Sequence, residues 1–205
     1  MTRDYIEAWL RETDPATLEK LWQRADEVRA RVVGNEVHLR GLIEISNYCI
    51  RRCGYCGLNA ENRDLQRYRM EKQEIISCAR DAVAYGYGTV VLQAGEDYGI
   101  TAEWLADVVQ TIKRETPLAV TLSMGERPEQ ELAQWRDAGA DRYLLRFETS
   151  NPRLYDTIHP SLPGRQSDRF AILEQLKRRG YEVGSGVMIG IPGQAFTDLA
   201  NDIAL

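Results

Sequence analysis

Hydrophobic positions along the chain fall into two regimes. Through about Arg31 they recur at helical spacing: Tyr5, Ile6, Trp9 and Leu10, then, after Asp14-Pro15, Leu18, Leu21, Trp22, Ala25 and Val28. Residues three and four apart share a helix face, and Asp-Pro is a helix start, so two helices are predicted. Beyond them, short β-rich runs alternate with amphipathic helical runs. VHLRGLIEIS precedes EKQEIISCARDAVAYG, TVVLQAG precedes AEWLADVVQTIKRE, and LAVTLSM precedes PEQELAQWRDAG. DRYLLRFE then precedes RFAILEQLKRRG, and EVGSGVMIG precedes FTDLANDIAL.

Five βα units in a row imply an α/β fold with a parallel sheet and helical crossovers. Polar and Gly-rich residues follow the strands: a cysteine loop, Gly95-Glu96-Asp97, Gly125-Glu126, Glu148-Thr149 and Pro192-Gly193. Barrels and open doubly wound sheets both bind ligands at that end of their strands, so the pattern alone does not choose between them. The fifth helical run reaches Asp202-Ile203-Ala204-Leu205 with no capping residue after it. The expectation is an incomplete sheet that lacks at least a sixth unit and leaves its fifth strand as an edge, which puts activity of the chain alone in question. The expected division is an N-terminal helical segment, 1–34, and an incomplete core, 35–205.

Composition narrows the function classes. The 205 residues are 43% apolar and 28% charged, which suits one globular domain. A net charge of −5 with no basic tail argues against a nucleic-acid partner. Arg51, Arg52, Arg63, Arg67 and Arg69 are clustered, but a solvated loop explains any one of them equally well. No run has the length of a membrane span, and MTRDYIEAWLRETD lacks the apolar centre of a signal peptide. No membrane partner is expected, and the expected location is the cytoplasm.

The candidate chemistry lies in NYCIRRCGYCG, where Cys49, Cys53 and Cys56 have the spacing C-x3-C-x2-C. Three thiolates on one short loop can hold three irons of a [4Fe–4S] cubane and leave the fourth iron open. A zinc site usually needs four ligands, and only Cys78, His38 and His159 remain to supply one. Zinc, or plain thiols, stays the alternative on spacing alone. His38 reads as a packed or edge residue of the first strand, and His159 as a loop residue without a catalytic part. Cys78, at helical spacing among apolar neighbours, reads as a buried structural cysteine.

The cysteine spacing resembles that of the radical SAM enzymes. Five ordered blocks extend the likeness: SNYCIRRCGYCGLNAENRDLQRYRM, VVLQAGED, VTLSMGER, AGADRYLLRFETSN and GYEVGSGVMIGIPGQ. They resemble the HydE group of [FeFe]-hydrogenase maturases, which also holds methylornithine synthase. The resemblance implies a partial (βα) barrel, a [4Fe–4S] cluster on Cys49, Cys53 and Cys56, and S-adenosylmethionine (SAM) cleaved to methionine and a 5′-deoxyadenosyl radical. It gives Tyr55 the aromatic position of the loop. Gly95 and Glu96 become the element that receives the SAM amino group, Glu148 the acceptor of ribose hydroxyls, and Arg169 the partner of the SAM carboxylate. Arg146 would pair with Glu148 or face SAM. Met188, with Ile189 and Ile191, would pack the adenine, although barrel packing explains these three equally well. Thr121 and Ser123 share one side of the third strand and would touch substrate.

The implied partners are a small substrate, an electron donor and other hydrogenase maturation proteins. For this group the resemblance implies an organometallic iron–cysteine precursor as substrate. Phe147, where the group often has histidine, and the run TIHPSLPGRQSD depart from the pattern near the cavity mouth. They leave open a methylornithine synthase-like or biotin synthase-like enzyme, or an inactive cluster-binding fragment.

Overall fold

A computed structural model describes residues 2–164 and 167–205. The two predicted helices are present as α1 (Arg3–Leu10) and α2 (Pro15–Val32). Thr2 caps α1, while Asp14 caps α2 with Pro15 in its first turn, where a missing N–H costs nothing. Helix α1 buries Ile6 and packs against the last helix, α8 (Phe196–Ala204). Helix α2 buries no residue, and Trp22 on its apolar stripe is 56% exposed.

The sheet contains β1 (Gly41–Ser46), β2 (Thr89–Ala94), β3 (Ala119–Ser123), β4 (Arg142–Leu144) and β5 (Glu182–Gly184), all parallel. Their spatial order is β1-β2-β3-β4-β5. A doubly wound sheet reverses its strand order at a switch point, whereas a barrel wall adds each strand beside the last. The unbroken order is therefore an arc of barrel, and the fold is a partial (βα) barrel with N-terminal helices.

The crossover helices α3 (Lys72–Ala84), α4 (Ala102–Glu115), α5 (Glu129–Asp137) and α7 (Arg169–Arg178) form a continuous layer against the strands. Ile43, Ile45, Val90, Leu92, Val120, Leu122 and Tyr143 meet Ile76, Leu105, Val109, Leu132, Trp135 and Leu176 in one buried cluster. Alternation sends the other residues of each strand to the concave face. Register sets Leu42, Val91, Thr121, Arg142 and Glu182 side by side there, with Glu44, Gln93, Ser123, Leu144 and Gly184 in the next row. Thr121 and Ser123 thus share the inner side, as their alternation predicts.

Several local expectations are corrected. Strand β1 begins at Gly41, so His38 lies outside it, and His38 is exposed instead of packed. Among the described residues its VHLR run pairs with no strand. A helix absent from the pattern, α6 (Pro152–Ile158), follows β4, started by Asn151 and Pro152. His159 is the C-terminal cap of that helix and is 1% exposed, not a free loop residue. Cys78 packs only partly buried against the core. Among the described residues no helix is long and apolar enough to cross a membrane.

Candidate functional site

No helix or strand lies between β1 and α3, so the cysteine loop is shaped by side-chain and turn hydrogen bonds. Its first cysteine sits directly against the end of β2. The Ile50 N–H donates to Glu96 O at 3.1 Å, and the N–H groups of Arg51 and Glu96 both point at Cys49 Sγ at 3.4 Å. Gly95 permits this approach. A Cβ there would fall 2.2 Å from Tyr48 O and 2.7 Å from Cys49 Cβ, which no side-chain rotation relieves. On the other flank the Gly54 N–H donates to Ile158 O at 3.0 Å, tying the loop to the end of α6.

All four cysteines are free thiols. Burial raises the Cys49 thiol, and burial, partly offset by a hydrogen bond with Tyr55, pushes Cys53 up to about 11. Among the described residues no group of three or more His, Cys, Asp or Glu is gathered around one metal ion. Cys53 is buried and Cys49, partly buried, receives two backbone N–H groups, so three soft sulfurs sit in surroundings of the kind an iron–sulfur cluster takes.

A buried charge network lies beside the loop, and most of it was invisible to spacing. Arg51 is 3% exposed and pairs with Glu96 at 2.8 Å and Glu126 at 2.9 Å. This replaces the solvated-loop reading of that arginine. Glu96 is consequently not an open carboxylate: its Oε1 faces Arg51 and its Oε2 accepts from the Glu126 N–H at 3.3 Å. Gly125, at φ 72°, turns the chain so that Glu126 reaches inward. Glu126 Oε1 accepts from Ser167 at 2.6 Å and from Arg169 Nε at 2.9 Å. Burial would raise Glu126, but the bonds from Ser167 and Arg169 and the charge of Arg51 outweigh it and hold the carboxyl below its ordinary range.

Arg169 stands at the start of α7, with a side chain only 10% exposed. It donates to Arg146 O at 2.6 Å, and its Nη2 lies 2.7 Å from His159 Nε2. A guanidinium only donates, so that ring nitrogen must accept and the proton sits on Nδ1. Burial first, then the charges of Arg169 and Arg51, lower His159 from 6.5 to about 4. The ring is neutral at physiological pH.

Glu148 is the strained member of the group. It is 4% exposed and has φ 64°, a left-handed conformation unusual for a residue with a Cβ. Tyr55 Oη donates to its Oε1 at 3.4 Å, and Arg169 Nη1 lies 3.7 Å from the same atom. Its Oε2 is 3.2 Å from Arg146 Nη2, yet at an angle that leaves it without a hydrogen-bond partner among the described residues. A buried carboxylate oxygen with spare acceptor capacity suits a hydroxyl-bearing ligand such as a ribose.

The remaining expected residues are more dispersed. Arg146 is half-exposed, pairs with Glu148 and donates to Val187 O at 3.1 Å. Met188 is partly buried, and its N–H donates to Glu148 O at 2.7 Å, beside the acid. Ile191 is buried, but Ile189 is 77% exposed. Thr121 is buried on the concave face with its hydroxyl unpartnered among the described residues, and Ser123 is half-buried one row nearer the loops. Phe147 packs at a tilt against Phe170, 5.0 Å between centroids, beside a cavity of about 260 Å³ that Tyr155, Ser167 and Arg169 also line. Within TIHPSLPGRQSD, Arg165 and Gln166 lie outside the described residues.

The sequence pattern of the Radical SAM superfamily matches residues 43–205. This chain belongs to that superfamily. It is 45% identical over 202 residues to the [FeFe] hydrogenase maturase subunit HydE of Thermotoga maritima, covering 98% of this chain and 57% of the relative. Identity to the 3-methylornithine synthase of Methanosarcina acetivorans is 31% over 196 residues, covering 93% and 54%. Among solved structures, methylornithine synthase (PylB) superposes with a TM-score of 0.90 at 28% identity, covering 99% of this chain and 60% of that one. The maturase HydG from Carboxydothermus hydrogenoformans has the same fold, with a TM-score of 0.86 at 23% identity, covering 100% and 48%. The chain thus spans from 48% to 60% of the length of these relatives. Membership in the radical SAM enzymes, in the group holding HydE, methylornithine synthase and biotin synthase, implies use of an iron–sulfur cluster and SAM.

Proposed function

We propose that Cys49, Cys53 and Cys56 hold a [4Fe–4S] cluster with one open iron, and that the adjoining buried network binds SAM. The observation that carries this reading is the closure of a three-thiol loop onto Gly95-Glu96 beside Glu148, a buried acid with an unused acceptor. When bound, the cluster supplies one electron and a vacant coordination site, through which SAM gives a 5′-deoxyadenosyl radical.

The chain's own residues bind, orient and shield. Glu148 Oε2 accepts a hydroxyl of the ligand, and Tyr55 and Met188 flank that acid. Arg169, held by Glu126, Arg146 O and His159, offers its remaining N–H donors to a carboxylate. Gly95-Glu96 is the element that receives the amino group. The Glu96 carboxylate neutralises Arg51, so an ammonium near Gly95-Glu96 would meet the main chain there. Thr121 and Ser123, on the concave face, are the candidates for substrate contact.

Two substrate readings have support. The structural likeness to methylornithine synthase, with 31% identity to its namesake, favours carbon-skeleton chemistry on an amino acid. The 45% identity to HydE favours a hydrogenase maturation step, with other maturation proteins as partners. Anaerobically reconstituted full-length protein with dithionite and SAM separates them. Formation of 3-methylornithine from common amino acids, detected by mass spectrometry, supports the first reading. Its absence, with 5′-deoxyadenosine formed only on addition of the organometallic iron–cysteine compound, supports the second. If neither addition yields any 5′-deoxyadenosine, both readings fall.

A further inference from the structure

The cysteine loop is closed by a single side chain that the site described above does not use. Arg67 Nη1 donates to Asn47 O at 2.5 Å and Leu58 O at 2.8 Å, while Nη2 donates to Asn59 O at 2.7 Å and Asn62 O at 3.2 Å. Asn47 precedes Cys49 by two residues, and Leu58 follows Cys56 by two. One guanidinium therefore joins the entry and the exit of the segment that carries all three thiols.

The anchor point is itself fixed. Asn47 exchanges main-chain and side-chain bonds with Gln66 and Tyr68: its Nδ2 donates to Gln66 O at 2.8 Å, and its Oδ1 accepts from the Tyr68 N–H at 2.7 Å. Tyr68 Oη in turn donates to Glu44 O on β1 at 2.9 Å. The clamp is thus moored to the barrel wall.

We propose that Arg67 is the positioning residue of the cysteine loop, holding carbonyls on both flanks so that the thiols are arranged for a cluster before one binds. This rests on the reading of Cys49, Cys53 and Cys56 as cluster ligands. A segment with no secondary structure has no ladder to order it, and ordering it at the moment of binding would weaken binding. Four acceptors converging on one planar, always charged group supply that order in advance. Four acceptors favour arginine: lysine offers a point charge with three donors and cannot bond all four carbonyls at once.

The test uses the full chain, wild type against R67M and R67K. In cluster-free protein, hydrogen exchange of the amides in 47–62 is followed beside those of β2 and β3. After anaerobic reconstitution, the rate of iron release to a chelator is measured. Loss of charge-assisted bonds predicts exchange in 47–62 about tenfold faster in R67M, unchanged exchange in the core strands, and iron release faster by a similar factor. R67K falls between, and it carries the comparison if R67M does not fold. Exchange and release at wild-type rates in the variants overturn the role of Arg67. So does a rise shared equally by β2 and β3, which marks general destabilisation. A wild-type chain that takes up no iron and sulfide overturns the cluster reading itself, a result distinct from normal uptake with unaltered release.

Discussion

Replacing Glu126 with glutamine removes one charge from the centre of the buried network while keeping its shape. Arg51 retains Glu96 at 2.8 Å, so that cation stays paired. Arg169 does not fare as well: after the change its nearest carboxylate is Glu148, at 3.7 Å. Removing one partner of a buried ion pair typically costs about 3–5 kcal/mol, because the other charge stays desolvated. The amide oxygen left by the substitution still accepts one bond, which places the expected loss near the lower figure, roughly 3 kcal/mol. That is a large fraction of the stability of an ordinary domain, about 5–15 kcal/mol. Urea unfolding of cluster-free protein, followed by circular dichroism, measures it. A control at Glu174, an exposed helical residue, should change stability little. SAM affinity of the reconstituted variant should fall as well, because Arg169 loses its orienting partner. A stability loss below about 1 kcal/mol, with unchanged SAM affinity, would refute the claim that Glu126 anchors both arginines.

Two other outcomes follow from the site. In G95A the new Cβ meets the Tyr48 carbonyl and the Cys49 Cβ, so the loop must shift; stability should fall by about 1–3 kcal/mol and iron bound per chain should drop, read by denaturation and iron assay. His159 makes stability depend on acid: the folded ring stays neutral to about pH 4, while the unfolded one takes a proton below about 6.5. Stability from this group is intact above pH 6.5 and is lost as pH falls toward 4, by up to roughly 3 kcal/mol. H159Q should flatten that part of the pH–stability curve, and identical curves for both proteins would contradict the assignment.

The parts legible in the sequence were those carried by local periodicity. Apolar spacing placed α1, α2 and the five βα units, because a buried helix face and an alternating strand leave repeating marks. Strand β1 is shorter than the pattern predicts: Val37 and Leu39 alternate with polar residues as a strand would, but both are exposed and pair with no strand among the described residues. Helix α6 leaves only a start signal, Asn151-Pro152, in the sequence, since its buried residue is its last, Ile158, and no apolar stripe marks it. The cysteines announce themselves by spacing. Arg51 and Glu126 do not, because they meet partners tens of residues away, nor does His159, whose partner Arg169 lies beyond the next loop, and nothing local distinguishes a buried arginine from a solvated one. Arg67 was masked in the same way, its four acceptors being main-chain carbonyls that have no sequence signature.

The central claim is a cluster with one iron left free for SAM, and electron paramagnetic resonance of the anaerobically reconstituted, dithionite-reduced full-length protein tests it most directly. The account predicts a [4Fe–4S]⁺ signal that changes on addition of SAM, with 5′-deoxyadenosine formed, and loss of both in C53S. A signal indifferent to SAM, or one that survives in C53S, would contradict it.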